Sequence, residues 1–467
     1  MVKQILLALL ACGAVWAAPP NIVYINADDL GVMDVGFNNP KYNTPNIDRL
    51  RAEGMLFTDA YAPAANCAPS RACVMSGQYG PRHGVYTVGN SDRGNAKTRK
   101  IVPIRNTEHL DPGIMTMADA LKAGGYKTIH LGKWHAGDDP RQQGFDVNIG
   151  GNGSGSPTGG YFTPFKGGTM TEYNAKYPAG THRVDIFADE AIKFMRENRD
   201  QPMFVHMAYY SVHSKLEPVP EFVGKYKDKG VHAVYASMIE KMDQGIGRIL
   251  DEIEALGLKN NTLVLFTSDN GGIRKTSSQK PYRSGKGSYF EGGIREPMVV
   301  RWPGKVAPNS TCRVPVIGID FFPTFLDAAG LPMPASKILD GASLLPLLTQ
   351  SGPIAERTLF WHFPIYLQAY AGIDDDSHDA LFRTRPGSAL RQGQWKLHEY
   401  FEDGRLELYD LGSDLGERSN VADRYPEKAQ ELHRLLEKWR AEMNAPVPTE
   451  PNPQYDPQAQ AKSKKNK

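Results

Sequence analysis

Two pairs of hard oxygen donors, Asp28-Asp29 and Asp269-Asn270, each follow a short apolar run in this chain. Carboxylate and amide oxygens of this kind suit Ca²⁺, or Mg²⁺, rather than a metal held by thiolate or imidazole. Taken singly, each pair is also an ordinary turn sequence. Lys133 and His135 lie two residues apart, so in extended chain both side chains face the same way. Such a pair can hold an anion with the ammonium while the imidazole exchanges a proton. His213 follows another apolar run and could protonate a leaving oxygen. Lys286 stands between Gly285 and Gly287, whose missing side chains would let a ligand come close. Cys67-Ala68-Pro69-Ser70-Arg71 adds a thiol and a guanidinium at what reads as a helix start. Alone, Cys67 is as well explained by a buried thiol as by a nucleophile. The nearby Gly77, Gly80, Arg82-His83 and Gly84 make this a turn-rich, polar segment.

The elements that must position these groups are legible as alternating runs. Asn21 to Asn26, Lys127 to Leu131, Met203 to Tyr209, Thr262 to Thr267 and Met298 to Arg301 read as strands. Helices are expected from Pro45 toward Glu53, around Gly113 to Ala123, near Val184 to Arg196, and from about Val231 to Leu256. In the last, Val234, Met238, Met242, Ile246, Ile249 and Ile253 form one apolar stripe. Strands separated by helices imply a large mixed, mainly parallel sheet flanked by helices on both faces. Ligands in such sheets bind beyond the carboxyl ends of the strands, where most of the polar groups above fall. From about Arg357 the texture changes to short strands spaced by turns, followed by a helix from Pro426 to Met443. This predicts a smaller C-terminal antiparallel sheet with one helix. The expected organisation is a leader over 1–17, a catalytic α/β domain over 18–350, a C-terminal α+β subdomain over 351–445, and a disordered Pro/Lys-rich tail over 446–467.

At 467 residues, 40% hydrophobic and 23% charged, the composition is that of a globular protein with a large core. A net charge of +2 gives no footing for nucleic acid, so any anion recognition must be local. Lys3, the apolar stretch Ile5 to Val15, and Val15-Trp16-Ala17 read as a signal peptide too short to span a bilayer. Export to the periplasm or beyond follows, with lipoprotein anchoring at Cys12 as the second reading. Cys73 and Cys312 could pair, or stay buried and free.

The order and wording of six segments resemble the formylglycine-dependent sulfatases of the alkaline phosphatase superfamily. They are Asp28-Asp29, Cys67-Ala68-Pro69-Ser70-Arg71, Gly132-Lys133-Trp134-His135, His213, Ser268-Asp269-Asn270-Gly271 and Gly285-Lys286-Gly287. The resemblance implies that a separate maturation enzyme converts Cys67 into formylglycine, whose hydrate attacks sulfur with one hydroxyl and expels sulfate with the other. It also implies one Ca²⁺ on Asp28, Asp29, Asp269 and Asn270 together with the modified Cys67. Arg71 would steady the hydrate, Lys133 and Lys286 would bind sulfate oxygens, His135 would act as base and His213 as acid.

An exported enzyme of this kind is expected to meet sulfated carbohydrate, a polysaccharide or its oligosaccharides, and the resemblance points to galactose-type 4- or 6-sulfate. Asp92, Arg93, Tyr161, His362 and Arg383 are the candidates for the substrate pocket. Two other readings stay open at this point: a phosphodiesterase or phosphonate monoester hydrolase of the same superfamily, and a catalytically silent glycan-binding homologue. Sulfate monoesters carry one negative charge and phosphate monoesters about two. A single-metal site with two lysines suits the lower charge.

Overall fold

The computed structural model describes residues 18–459. The expected signal peptide and Cys12 lie outside them. Eight strands form the central sheet in the order Val147–Ile149, Lys127–Gly132, Met203–Ala208, Asn21–Ala27, Thr262–Ser268, Met298–Arg301, Met55–Phe57 and Ser310–Cys312. The first five run parallel, and Met298–Arg301 runs against its neighbours on either side. The sheet is therefore mixed and mainly parallel.

Asn21–Ala27 is buried along its whole length at the centre. Its side chains alternate between the two faces. Val23, Ile25 and Ala27 pack in one apolar cluster with the helices Arg183–Glu197 and Ala233–Ala255, while Ile22 and Tyr24 pack in another with Met117–Ala123 and Phe321–Ala328. Helices thus cover both faces, which is why the strand is apolar throughout rather than alternating. On Ala233–Ala255 the buried stripe runs through Met238, Met242, Ile246, Ile249 and Ile253, and Val234 is half-buried at its start.

The C-terminal part is a four-stranded antiparallel sheet, Leu359–Phe363, Gly387–Gln392, Trp395–Tyr400 and Arg405–Asp410, covered by the helix Pro426–Met443. Its apolar face shares a cluster with Tyr61, Ala65, Tyr289, Ile294 and Ile317 of the main body. A buried charge network crosses the same seam. Lys396 Nζ lies 2.9 Å from both Glu291 Oε1 and Glu417 Oε1, and none of these side chains is exposed. Arg295 Nε holds the other oxygen of Glu291 at 2.7 Å.

The tail differs from expectation up to residue 459. Val102 donates a backbone hydrogen bond to Glu450, Asn452 donates one to Lys100, and the Asn452 amide reaches the carbonyls of Ala96 and Arg99. The segment from 446 is therefore laid against the body by backbone pairing. Composition, which registers only its prolines and missing apolar residues, does not carry that signal. Lys462, Lys464, Lys465 and Lys467 fall outside the described residues. Among those described, no helix is long and apolar enough to cross a membrane. Cys73 and Cys312 are both buried and unpaired with each other.

Removing the cation that the two carboxylates share would leave Glu291 to Arg295 and Glu417 to His398, in a place without solvent exposure. Lys396→Met is expected to destabilise the protein by about 3–5 kcal/mol, read as a lower denaturant midpoint. An unchanged midpoint would show that the seam does not depend on this network.

Candidate active site

The parallel register Ala27↔Ser268 brings the ends of two strands level, and the residues that follow each meet beyond them. The Asp29 amide donates to Asp269 Oδ1 at 3.2 Å, and the Asn270 amide nitrogen donates to Asp29 Oδ1 at 2.8 Å. Asp28, Asp29, Asp269 and Asn270 are all buried. Asp29 has φ of 59°, a left-handed conformation that costs a non-glycine residue energy and so must be held by these contacts.

Three cations answer the crowded carboxylates. Lys133 Nζ lies 2.7 Å from Asp28 Oδ2, with both side chains fully buried. Lys286 Nζ lies 2.6 Å from Asp29 Oδ1 and 2.8 Å from Oδ2. Arg71 Nε donates to Asp269 Oδ2 at 2.9 Å, and its Nη1 donates to the Lys133 carbonyl at 2.7 Å. Lys133 is aimed by Gly132, whose φ of 102° leaves the strand sharply; a Cβ there would stand 2.0 Å from the Ala208 carbonyl oxygen. Burial raises the Asp28 carboxyl well above its ordinary pKa, with Asp269 and Asp29 adding to this and Lys133 only partly offsetting it. For Asp29, burial pulls upward but Lys286, His213 and Lys133 prevail and hold it low.

Cys67 begins the helix Cys67–Ser76, every residue of which is buried. Pro69 fits its first turn, where no intrahelical N–H is needed, and Gly77 ends it in left-handed conformation at φ of 66°. The thiol sits at the positive end of this helix. Burial disfavours its thiolate, yet Lys133 and Lys286 outweigh that and lower the pKa.

Cys67, His135, His213 and Lys286 line one cavity of about 580 Å³, joined by Arg93 and Arg383. His135 has φ of 56°, and its Nδ1 is buried without a hydrogen-bond partner. Burial, then Lys133, Arg71 and Lys286, depress its pKa well below 6.5. His213 Nε2 lies 3.9 Å from Asp29 Oδ2, and its Nδ1 meets the Ser214 carbonyl. Burial, then Lys133, lower this ring to about 4, with Asp29 pulling the other way.

Hard oxygens without partners mark a place for a cation. Asp28 Oδ1 and Asn270 Oδ1 are both buried with no hydrogen-bond partner, beside the Asp29 carboxylate. Oxygens of Asp28 and Asp29 and a His213 ring nitrogen lie within 4.8 Å of one another. The carboxylate and amide oxygens of this group, rather than the imidazole, fit a hard divalent ion.

Three expected pocket residues lie elsewhere. His362 is buried between Ser388 Oγ, at 2.8 Å, and the Pro446 carbonyl, at 3.0 Å, because the folded-back tail covers it. Tyr161 is 1% exposed and donates to the carbonyls of Tyr210 and His213, so it braces the histidine loop from behind. Asp92 borders a separate groove of about 940 Å³ that contains none of the residues around Cys67. Sequence reasoning missed Tyr370, which lines the cavity in the stretch Gln368-Ala369-Tyr370-Ala371. A lone tyrosine in an irregular segment offers no periodicity to find it by.

Comparison with known proteins agrees with this geometry. The family model described as Sulfatase matches residues 20–331, and one described as N-sulphoglucosamine sulphohydrolase, C-terminal, matches 285–443. A sulfatase of Formosa agariphila is 31% identical, covering 92% of this chain and 90% of its own. Human arylsulfatase A is 31% identical, covering 95% and 92%. The structure described as Ps i-CgsB in complex with k-i-k-neocarrahexaose superposes with a TM-score of 0.74 at 28% identity, covering 90% of this chain and 92% of that one. With identity and coverage at these levels, the chain belongs to the sulfatase family and is a hydrolase of sulfate esters.

Proposed function

We propose that this protein is an exported sulfatase that removes sulfate from a sulfated polysaccharide or its oligosaccharides, using a formylglycine made from Cys67 and one calcium ion. The observation that carries the reading is the meeting, in one cavity, of a helix-start cysteine with Lys286, His135 and His213, above partnerless buried oxygens. The carbohydrate class is supported by the hexaose named for Ps i-CgsB and by the similarity to rat N-acetylgalactosamine-6-sulfatase, 32% identical over 89% of this chain. Galactose-type 4- and 6-sulfates are the first substrates to try. Export rests on the leader-like residues 1–17.

Formylglycine would supply a hydrate with two hydroxyls on one carbon, and its formation needs a dedicated maturation enzyme. Calcium, held by Asp28, Asp29, Asp269, Asn270 and the modified residue 67, would supply counter-charge to sulfate. Lys133 and Lys286 bind the nonbridging sulfate oxygens, placing charge where it develops in the transition state. Arg71, tied to Asp269 and to the Lys133 carbonyl, fixes the first turn that presents residue 67. His135, kept neutral by burial and by its cationic neighbours, accepts a proton as base. His213, with Nδ1 turned to the Ser214 carbonyl, delivers a proton from Nε2 to the departing alcohol oxygen. The charge of the bound sulfate opposes the lysines that depress this ring and favours its protonated form.

Cys67→Ala and His213→Ala are each expected to lower sulfate release from a sulfated oligosaccharide at least about 10²–10⁴-fold while the thermal midpoint stays in place. Full turnover by either variant would refute the mechanism. Mass analysis of the protein made with a maturation enzyme should show the Cys67 thiol replaced by an aldehyde. Calcium removal by a chelator should abolish turnover and lower the melting temperature. Added Ca²⁺ should restore both in the wild type, but not in Asp28→Asn.

A further inference from the structure

Two arginines in the catalytic cavity take no part in the sulfur chemistry. Arg383 comes from the short strand Phe382–Thr384. Its Nε donates to the Gln368 carbonyl at 3.0 Å, its Nη1 donates to the Lys286 carbonyl at 3.1 Å, and its guanidinium lies 3.6 Å over the Tyr370 ring. Gly287 makes the approach possible, since a Cβ there would stand 2.8 Å from Arg383 Nη1. Arg93 reaches the same cavity from the segment after Gly89. It is half-buried, and the charge of Arg383 works against its own.

Among the described residues neither arginine has a carboxylate partner. Elsewhere in the molecule the buried Arg71, Arg295, Arg301, Arg385 and Arg391 each lie against a carboxylate, whereas Arg183 is answered by the Thr158 and Gly160 carbonyls and stands alone among rings rather than beside a second arginine. Two like charges brought together in a partly enclosed space repel, and the groups that Arg383 meets are neutral carbonyls and a ring. A planar guanidinium with its fork of donors matches the oxygens of a sulfate or a carboxylate. Their setting beside Cys67, His135 and Lys286 puts this unanswered charge next to where the scissile sulfate would sit.

We propose that Arg93 and Arg383 form a second anion subsite, which recognises a further sulfate or a uronic carboxylate on the same oligosaccharide as the scissile sulfate. The subsite rests on the reading of the substrate as sulfated carbohydrate. It makes the enzyme selective for a substrate bearing two anionic groups over one bearing the scissile sulfate alone. Arg383, held by Lys286 and Tyr370, is the fixed half, and Arg93 is the half that answers mainly to the ligand.

The test uses the matured, calcium-loaded enzyme and four probes: 4-nitrophenyl sulfate, a monosulfated neutral disaccharide, its disulfated form, and a monosulfated disaccharide containing a uronate. Wild type is expected to show a higher kcat/KM for at least one doubly anionic disaccharide than for the monosulfated one. Arg93→Ala should reduce that ratio about tenfold or more, through KM, as expected for loss of a charged hydrogen bond. Arg93→Lys should restore part of it, and serves as the test if Arg93→Ala does not fold. Loss of selectivity on the disulfated probe assigns the ligand as sulfate, and on the uronate probe as carboxylate. The subsite is overturned if wild type cleaves carbohydrate sulfates without preference, or if Arg93→Ala and Arg93→Lys reduce all four probes by one common factor. Turnover of 4-nitrophenyl sulfate with no carbohydrate sulfate cleaved overturns the carbohydrate reading, and the subsite with it.

Discussion

Three buried carboxylates set the terms for the rest of this molecule. Asp28, Asp29 and Asp269 are brought together by the register of two parallel strands, in a place with almost no exposure to solvent. Two unit charges about 4 Å apart at an effective dielectric of about 20 exchange roughly 4 kcal/mol, so such a cluster persists only if cations are delivered to it. Lys133 arrives from the tip of a third strand, Arg71 from the first turns of the Cys67–Ser76 helix, and Lys286 from the loop before the helix Glu291–Ile294. Even so, Asp28 Oδ1 and Asn270 Oδ1 remain without partners. The sheet topology, the glycine at 132 and the helix start at 67 all serve that concentration of opposite charge.

The smaller sheet belongs to the same arrangement. Lys286 sits in a loop whose carbonyls at 286 and 287 accept hydrogen bonds from Arg383 and Thr384. A few residues on, Glu291 is fixed by Lys396 and Arg295. The C-terminal part therefore clamps the segment that carries one of the two anion-binding lysines. An expected boundary near residue 350 describes a change of strand pattern, while the packing runs continuously across it.

The strands, the long helices and the positions gathered around Cys67 were legible because each depends on local runs: an apolar strand, a polar tip, a glycine. What the sequence hid depends on distant partners. Tyr161 and His362 carry polar groups that suit a ligand, but Tyr161 spends its hydroxyl on backbone carbonyls, and His362 spends its ring nitrogens on Ser388 Oγ and on the carbonyl of Pro446, some eighty residues away. Asp92 and Arg93 are adjacent, yet they line different cavities. The three-residue strands Met55–Phe57 and Ser310–Cys312 are too short to show an alternation. The segment from 446 to 459 is ordered through backbone bonds to 97–102, which no side-chain pattern announces.

The loop bearing His213 shows why the hidden contacts matter. The Asp28 amide donates to the Ser211 carbonyl at 2.9 Å, and the Val212 amide donates back to the Asp28 carbonyl at 2.6 Å. Tyr161 then closes the loop from behind through the carbonyls of Tyr210 and His213. The residue whose carboxylate meets Lys133 thus also fixes, through its backbone, the segment that presents His213. Proton transfer demands placement to within a fraction of an ångström. A histidine on an irregular segment meets that demand because the two residues before it are pinned to the same strand tip that holds the charge and Tyr161 holds its own carbonyl, so the geometry of the acid and the electrostatics of the anion site are coupled.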